Sequence, residues 1–155
     1  VSRDAAILIA EDDAGHFALV RKNLWRTCFL RNITHFHSGE DLLRFLFQEV
    51  CSNQKDIVRN YLILMDIRLP GKSGIDVLQI IKEDPHLRMI PVFMLTTSCD
   101  ASDIQRSYEL GCCAYICKPR EYKNFMETVE FLGQILSMPE CLRPPFGRPL
   151  SAQVG

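Results

Sequence analysis

The sequence predicts a doubly wound α/β fold: a five-stranded parallel sheet in strand order 2-1-3-4-5, with helices on both faces. Three observations carry that prediction. Short apolar runs alternate with amphipathic segments five times over, the pattern of a parallel sheet built from right-handed crossovers. The runs at 5–10 (AAILIA), 62–65 (LILM) and 92–95 (VFML) are apolar throughout, as in strands buried on both faces. Their ends also carry chemistry, and an open α/β sheet binds its ligands outside the carboxyl ends of its strands.

The first strand, 5–10, stops at Glu11, Asp12 and Asp13. A helix over 14–28 follows, with Phe17, Val20, Leu24 and Cys28 as its apolar stripe and Arg21, Lys22 and Arg26 mainly off it. Residues 32–37 (NITHFH) are β-prone and alternating, so they form the second strand. Ser38-Gly39-Glu40 opens a helix through Leu42, Leu43, Phe45, Leu46 and Phe47. Residues 49–60 are polar with little periodicity and read as a loop carrying the frayed end of that helix.

The third strand, LILM, runs into Asp66, and Pro70-Gly71 supplies a turn. Ser73 can N-cap the next helix, whose core side is Ile75, Val77, Leu78 and Ile81. Pro85 disfavours helical geometry at Asp84 and ends it there. Pro91 starts the fourth strand, which runs into Thr96, Thr97 and Ser98. Asp100 or Ser102 caps a helix to Leu110, with Gly111 as C-cap. The fifth strand, 113–117, stops at Lys118-Pro119, and a last helix over 122–136 buries Phe125, Val129, Leu132 and Leu136. The chain thus divides into one domain over 1–137 and a tail, 138–155, whose four prolines end regular structure and which is too short for a second domain.

At 155 residues, 47% apolar and 24% charged, the chain has the bulk properties of a globular domain. A net charge of −1 gives no electrostatic case for nucleic acid or an anionic membrane surface. No apolar run is long enough to span a bilayer and no secretion signal opens the chain, so it reads as cytoplasmic. The seven cysteines lack paired CxxC spacing; buried, reduced, structural thiols are the expectation, with redox sensing the alternative.

At a 2-1-3-4-5 switch point the carboxylates of Glu11, Asp12 and Asp66 converge. Three carboxylates in one cleft repel unless a cation sits among them, and hard oxygen ligands suit Mg²⁺. Taken singly, acidic loop residues are solvated, threonines cap turns and lysines decorate surfaces. Jointly, at the ends of strands one, three, four and five, they make a site.

These residues resemble a known family. The motifs ILIAEDD, LILMDIRLPGKSG, PVFMLTTS and GCCAYICKP, spanning 5–137, are similar to the CheY-like receiver domain of two-component response regulators, a flavodoxin/CheY-like fold. Asp66, Pro70 and Gly74 keep the family's D-x-x-x-P-x-x-x-G spacing, and Tyr115 to Lys118-Pro119 its aromatic-x-x-Lys-Pro spacing. The loop before strand three and the PVFMLTTS wording resemble the stand-alone regulators that partner phytochromes.

The resemblance implies that Asp66 takes a phosphoryl group from a sensor histidine kinase or phosphotransfer protein, forming an aspartyl phosphate. It implies Mg²⁺ held by Asp12 and Asp66 directly, Glu11 through water, and the Arg68 carbonyl. Lys118 would neutralise phosphoryl charge, Thr96 would bond a phosphoryl oxygen, and Tyr115 would turn inward in response. A cis Lys118-Pro119 bond is the family habit. Output would pass through protein contacts on the face of the fourth helix, fifth strand and fifth helix, where the family often forms a homodimer; the tail with Phe146 and Leu150 either packs across that interface or is a flexible end.

Two positions depart from the commonest pattern. Arg68 stands where smaller residues are frequent, and either shields the phosphoryl group or pairs with Glu11. Thr97 stands where alanine is frequent; both are candidates for setting phosphoryl lifetime. Asp13 caps or is solvated rather than ligating. The competing readings are a constitutive protein-binding pseudo-receiver, which the intact Glu11, Asp12, Asp66, Thr96 and Lys118 set opposes, and a dehalogenase-type phosphatase, whose second Asp is replaced by Arg68. No glycine-rich nucleotide loop follows a strand.

Overall fold

The computed structural model describes residues 6–28, 32–52 and 61–137. Five strands alternate with five helices: β1 (Ala6–Ala10), α1 (Ala14–Cys28), β2 (Asn32–Phe36), α2 (Gly39–Ser52), β3 (Tyr61–Met65), α3 (Gly74–Glu83), β4 (Val92–Thr96), α4 (Ala101–Leu110), β5 (Ala114–Cys117) and α5 (Tyr122–Ser137). All pairings are parallel, in the order β2-β1-β3-β4-β5. This is the expected doubly wound sheet.

Side chains alternate across each strand, so the sheet has two cores. Leu8, Ile63, Met65, Val92 and Met94 face Leu42 and Leu46 of α2 and Val77, Leu78 and Ile81 of α3. Ile7, Ile9, Leu62, Leu64, Phe93 and Leu95 face Val20 and Leu24 of α1 and Phe125, Val129 and Leu132 of α5. A run such as Ile7-Leu8-Ile9 is apolar at every position because each face has its own helical cover.

Local chemistry sets the helix ends. Ser73 and Asp76 form a reciprocal capping box at α3, and Asp84, before Pro85, leaves the helix in an extended conformation. Asp100, rather than Ser102, caps α4, and Gly111 closes it at φ 102°. The fraying end of α2 keeps its helical backbone to Ser52, so the loop predicted from 49 starts later. The rest of that loop, 53–60, and the tail with Phe146 and Leu150 lie outside the described residues. No helix among the described residues is long and apolar enough to cross a membrane. Of the described cysteines Cys112 is buried as expected, but Cys99 is exposed, because it lies in the β4–α4 connection and not in a strand.

Candidate functional site

Parallel pairing carries the carboxyl ends of β1, β3, β4 and β5 to one edge. Ala10 is level with Met65, so the residues that follow, Glu11 and Asp66, emerge side by side. Backbone bonds extend the sheet one step beyond its strands: the Glu11 N–H donates to the Phe36 carbonyl at 3.0 Å, Asp66 N–H to Ala10 at 3.0 Å, and Lys118 N–H to Thr96 at 2.7 Å. These residues therefore sit on rigid strand ends.

The charged groups are buried. Glu11, Asp66 and Lys118 are each no more than 5% exposed and Thr96 is fully buried, a position ionised groups occupy only when paired. The Lys118 ammonium is shared: it donates to Asp66 Oδ2 at 2.8 Å and to Glu11 Oε2. The remaining carboxylate oxygens take backbone donors, Arg68 N–H to Asp66 Oδ1 at 3.1 Å and Asp13 N–H to Glu11 Oε1 at 3.1 Å.

One lysine does not serve two carboxylates equally. Burial works to raise the Asp66 carboxyl, but the Lys118 hydrogen bond and charge, the Thr96 hydroxyl and the Arg68 N–H outweigh it and hold Asp66 below the ordinary carboxylate range. At Glu11 burial wins. Lys118 offsets it only partly, Asp66 adds repulsion, and the carboxyl is pushed up to about 7.

Asp12 projects into solvent, yet its carboxylate, with those of Glu11 and Asp66, can bring one oxygen each within 4.8 Å of the others. Three hard anionic donors against a single ammonium leave a surplus of negative charge. That donor set fits a divalent cation of the Mg²⁺ type.

The expected positions of Glu11, Asp12, Asp66, Thr96 and Lys118 are thus brought together. Asp13 accepts from the His16 N–H at 2.9 Å and so caps α1. Arg68 offers its N–H to Asp66, while its side chain is exposed; Glu11 is paired with Lys118 and not with Arg68. Thr97 is exposed, beside the buried Thr96. Tyr115 is half-buried, and its hydroxyl donates to the Ser98 carbonyl of the β4–α4 connection at 2.7 Å.

The Lys118-Pro119 expectation needs correction. No described peptide bond is cis. The trans bond is the lower-energy isomer before proline, and Lys118 reaches both carboxylates from it.

Two residues of the site were not read from the sequence. His16 places Nδ1 3.4 Å from the Lys118 ammonium and 4.0 Å from Glu11. His35, on β2, stacks on Phe17 at 3.6 Å between ring centroids and sets Nε2 2.6 Å from the Glu11 carbonyl oxygen. For His16 a signal exists: it is three residues beyond the capping Asp13, on the turn of α1 that opens over the site. His35 has none short of the β1–β2 register, which pairs it with Ile9.

Glycines close the arrangement. Gly71 turns at φ 73°, with the Glu40 carboxylate where a Cβ would stand, and Glu40 accepts from the Lys72 N–H at 2.9 Å. Gly74 lets α3 start against the Asp66 backbone: a Cβ there would lie 2.0 Å from the Asp66 carbonyl oxygen.

Comparison with known proteins agrees with this geometry. The family model described as the response regulator receiver domain matches residues 7–130. The chain is 35% identical over 124 residues to the response regulator Rcp1 of Synechocystis sp., covering 80% of this chain and 83% of that protein. The Mn²⁺-bound form of Rcp1 superposes with a TM-score of 0.73 at 33% identity, over 83% of this chain and 91% of that one. A receiver domain from Rhodospirillum rubrum gives a TM-score of 0.79 at 40% identity, over 87% and 96% of the two chains. The phosphorylated cyanobacterial phytochrome response regulator RcpA gives 0.75 at 30% identity, over 85% and 93%.

Proposed function

The chain belongs to the response regulator receiver domain family, and we propose that Asp66 is its phosphoacceptor, loaded by a histidine kinase in a Mg²⁺-dependent reaction. The observation that carries this reading is the Lys118 ammonium held between the buried carboxylates of Asp66 and Glu11. A carboxylate kept ionised by a fixed cation is a nucleophile ready at neutral pH. The Asp66 oxygen attacks phosphorus, the donor's histidine nitrogen leaves, and charge on the transferring group falls beside Lys118 and the Thr96 hydroxyl.

Glu11, Asp12, Asp66 and the Arg68 carbonyl would hold Mg²⁺, which when bound neutralises phosphoryl oxygens. Rcp1 has been solved in a Mn²⁺-bound form, which supports a divalent cation here. Thr96 and Tyr115 act as the switch, because both bond the β4–α4 connection at Ser98. The likeness to RcpA, a phytochrome response regulator, supports a phytochrome-type kinase as donor; a cytoplasmic location is part of the same reading. The output is protein contact, not substrate turnover, through a homodimer on the α4-β5-α5 face. Arg68 and Thr97, both exposed beside the site, set the phosphoryl lifetime.

Incubation with Mg²⁺ and acetyl phosphate tests the reading. Mass spectrometry should find one acid-stable, base-labile phosphoryl group, absent from Asp66→Asn. An unmodified wild-type protein, together with no spectral response to beryllofluoride, would leave a constitutive binding module in its place.

A further inference from the structure

We propose that Cys99 and Cys117 form a peroxide-oxidisable thiol pair which, as a disulfide, staples the β4–α4 connection to β5. The fold brings both thiols to two consecutive carbonyls of the β4–α4 connection, near enough for Cys99 to act on the Cys117 thiol. Cys99 Sγ is 3.8 Å from the Thr97 carbonyl oxygen, and Cys117 Sγ is 3.8 Å from that of Ser98.

The two settings differ as an attacking and a resolving thiol should. Cys99 is exposed, so a dissolved oxidant reaches it, while Cys117 is half-buried. Burial, then the hydrogen bond with Cys99, pushes the Cys117 thiol up to about 12. Cys117 is therefore not the thiol that reacts first. Cys112 is buried, and burial pushes its thiol up to about 12 as well, so it lacks the access that Cys99 has.

The chemistry balances with hydrogen peroxide as oxidant. The Cys99 thiolate attacks one peroxide oxygen, an S–O bond forms, the O–O bond breaks, and hydroxide leaves to become water. Cys117 sulfur then attacks the Cys99 sulfenic sulfur; the S–S bond forms, the S–O bond breaks, and the departing hydroxyl takes the Cys117 proton. Two thiols lose two electrons and two protons, and one peroxide becomes two waters.

The staple would fall next to the proposed switch. Cys99 separates Ser98, whose carbonyl accepts from Tyr115, from Asp100, the cap of α4; Cys117 precedes Lys118. Oxidation would hold Ser98 at the Tyr115 hydroxyl. That consequence rests on the phosphoacceptor reading, whereas the disulfide does not.

Reduced protein is treated with hydrogen peroxide, denatured and blocked with N-ethylmaleimide. Two alkylation sites should be lost, a non-reducing peptide map should join Cys99 to Cys117, and dithiothreitol should restore both. Cys117→Ser should leave Cys99 as a sulfenic acid that dimedone captures. Cys99→Ser should protect Cys117 at the same dose. A wild-type map that links Cys99 elsewhere, or shows its sulfinic acid with no link to Cys117, overturns the proposal. The map needs neither variant nor phosphate, so it stands apart from the test of Asp66.

Discussion

Gly74→Ala pits two effects of known size against each other. Alanine in a helix is worth roughly 0.5–1 kcal/mol over glycine, so propensity alone makes the substitution stabilising. The structure reverses that sign. The new Cβ would sit 2.0 Å from the Asp66 carbonyl oxygen, 2.8 Å from its carbon and 2.9 Å from the Ile67 Cα, and must retreat by about 1.4 Å to reach the 3.4 Å of ordinary contact. All three atoms are backbone, so no side chain can rotate away. The Gly74 N–H also donates to the Ile67 carbonyl at 2.9 Å, and that bond is pulled with the helix. Forcing extra volume into a packed site costs about 1–3 kcal/mol, which outweighs the propensity gain. We expect a net loss of about 1–2 kcal/mol in urea unfolding. Displacing Asp66 by even part of that distance disturbs its 2.8 Å bond to Lys118, and misplacement of about 1 Å costs on the order of 100-fold in rate. Acetyl phosphate labelling, followed by mass spectrometry, reads the second effect. Unchanged unfolding with an unchanged labelling rate would refute the reasoning.

Two further predictions concern charge. Lys118→Met leaves Glu11 and Asp66 buried without their cation, and should cost about 3–5 kcal/mol in chelator at pH 8. The loss should shrink at pH 5, where protons replace the lysine; equal losses in urea unfolding at both pH values would contradict it. Glu11, with a folded value of about 7 against an ordinary 4.5, holds its proton more tightly when folded, so its contribution to metal-free stability falls as pH rises from 4.5 to 7. Asp66 is shifted the other way, and its contribution is lost only as pH falls below the ordinary 3.8. A divalent ion must displace the Glu11 proton below pH 7, so the apparent Mg²⁺ affinity by calorimetry should fall about tenfold per unit there. A flat profile from pH 5.5 to 7 would remove Glu11 from the metal site.

What the sequence revealed, and what it hid, follows from range. Glu11, Asp66, Thr96 and Lys118 were legible because each abuts an apolar run that can be only a strand, and parallel strands end on the same edge. The Ser73 cap and the Pro85 stop were legible because capping is settled within four residues. His35 was not, since its neighbour Glu11 reaches it through the β1–β2 register. Nor was the contact of Cys117 with the β4–α4 connection that carries Cys99, which depends on how that connection lies against β5. Gly74 was read as a motif letter, and only the close approach of α3 to Asp66 supplies its reason.

The distances along the chain have a last consequence, for folding. Lys118 meets Asp66 across 52 residues and Glu11 across 107, and every partner stands on a different strand. Closing such separations is entropically slow, so these meetings come late, after the sheet between them has paired. A partly made chain, or one with β5 detached, holds Asp66 without its lysine. On the proposed phosphoacceptor reading, such a chain would be slow to accept a phosphoryl group, so labelling of Asp66 would report that β5 is in place.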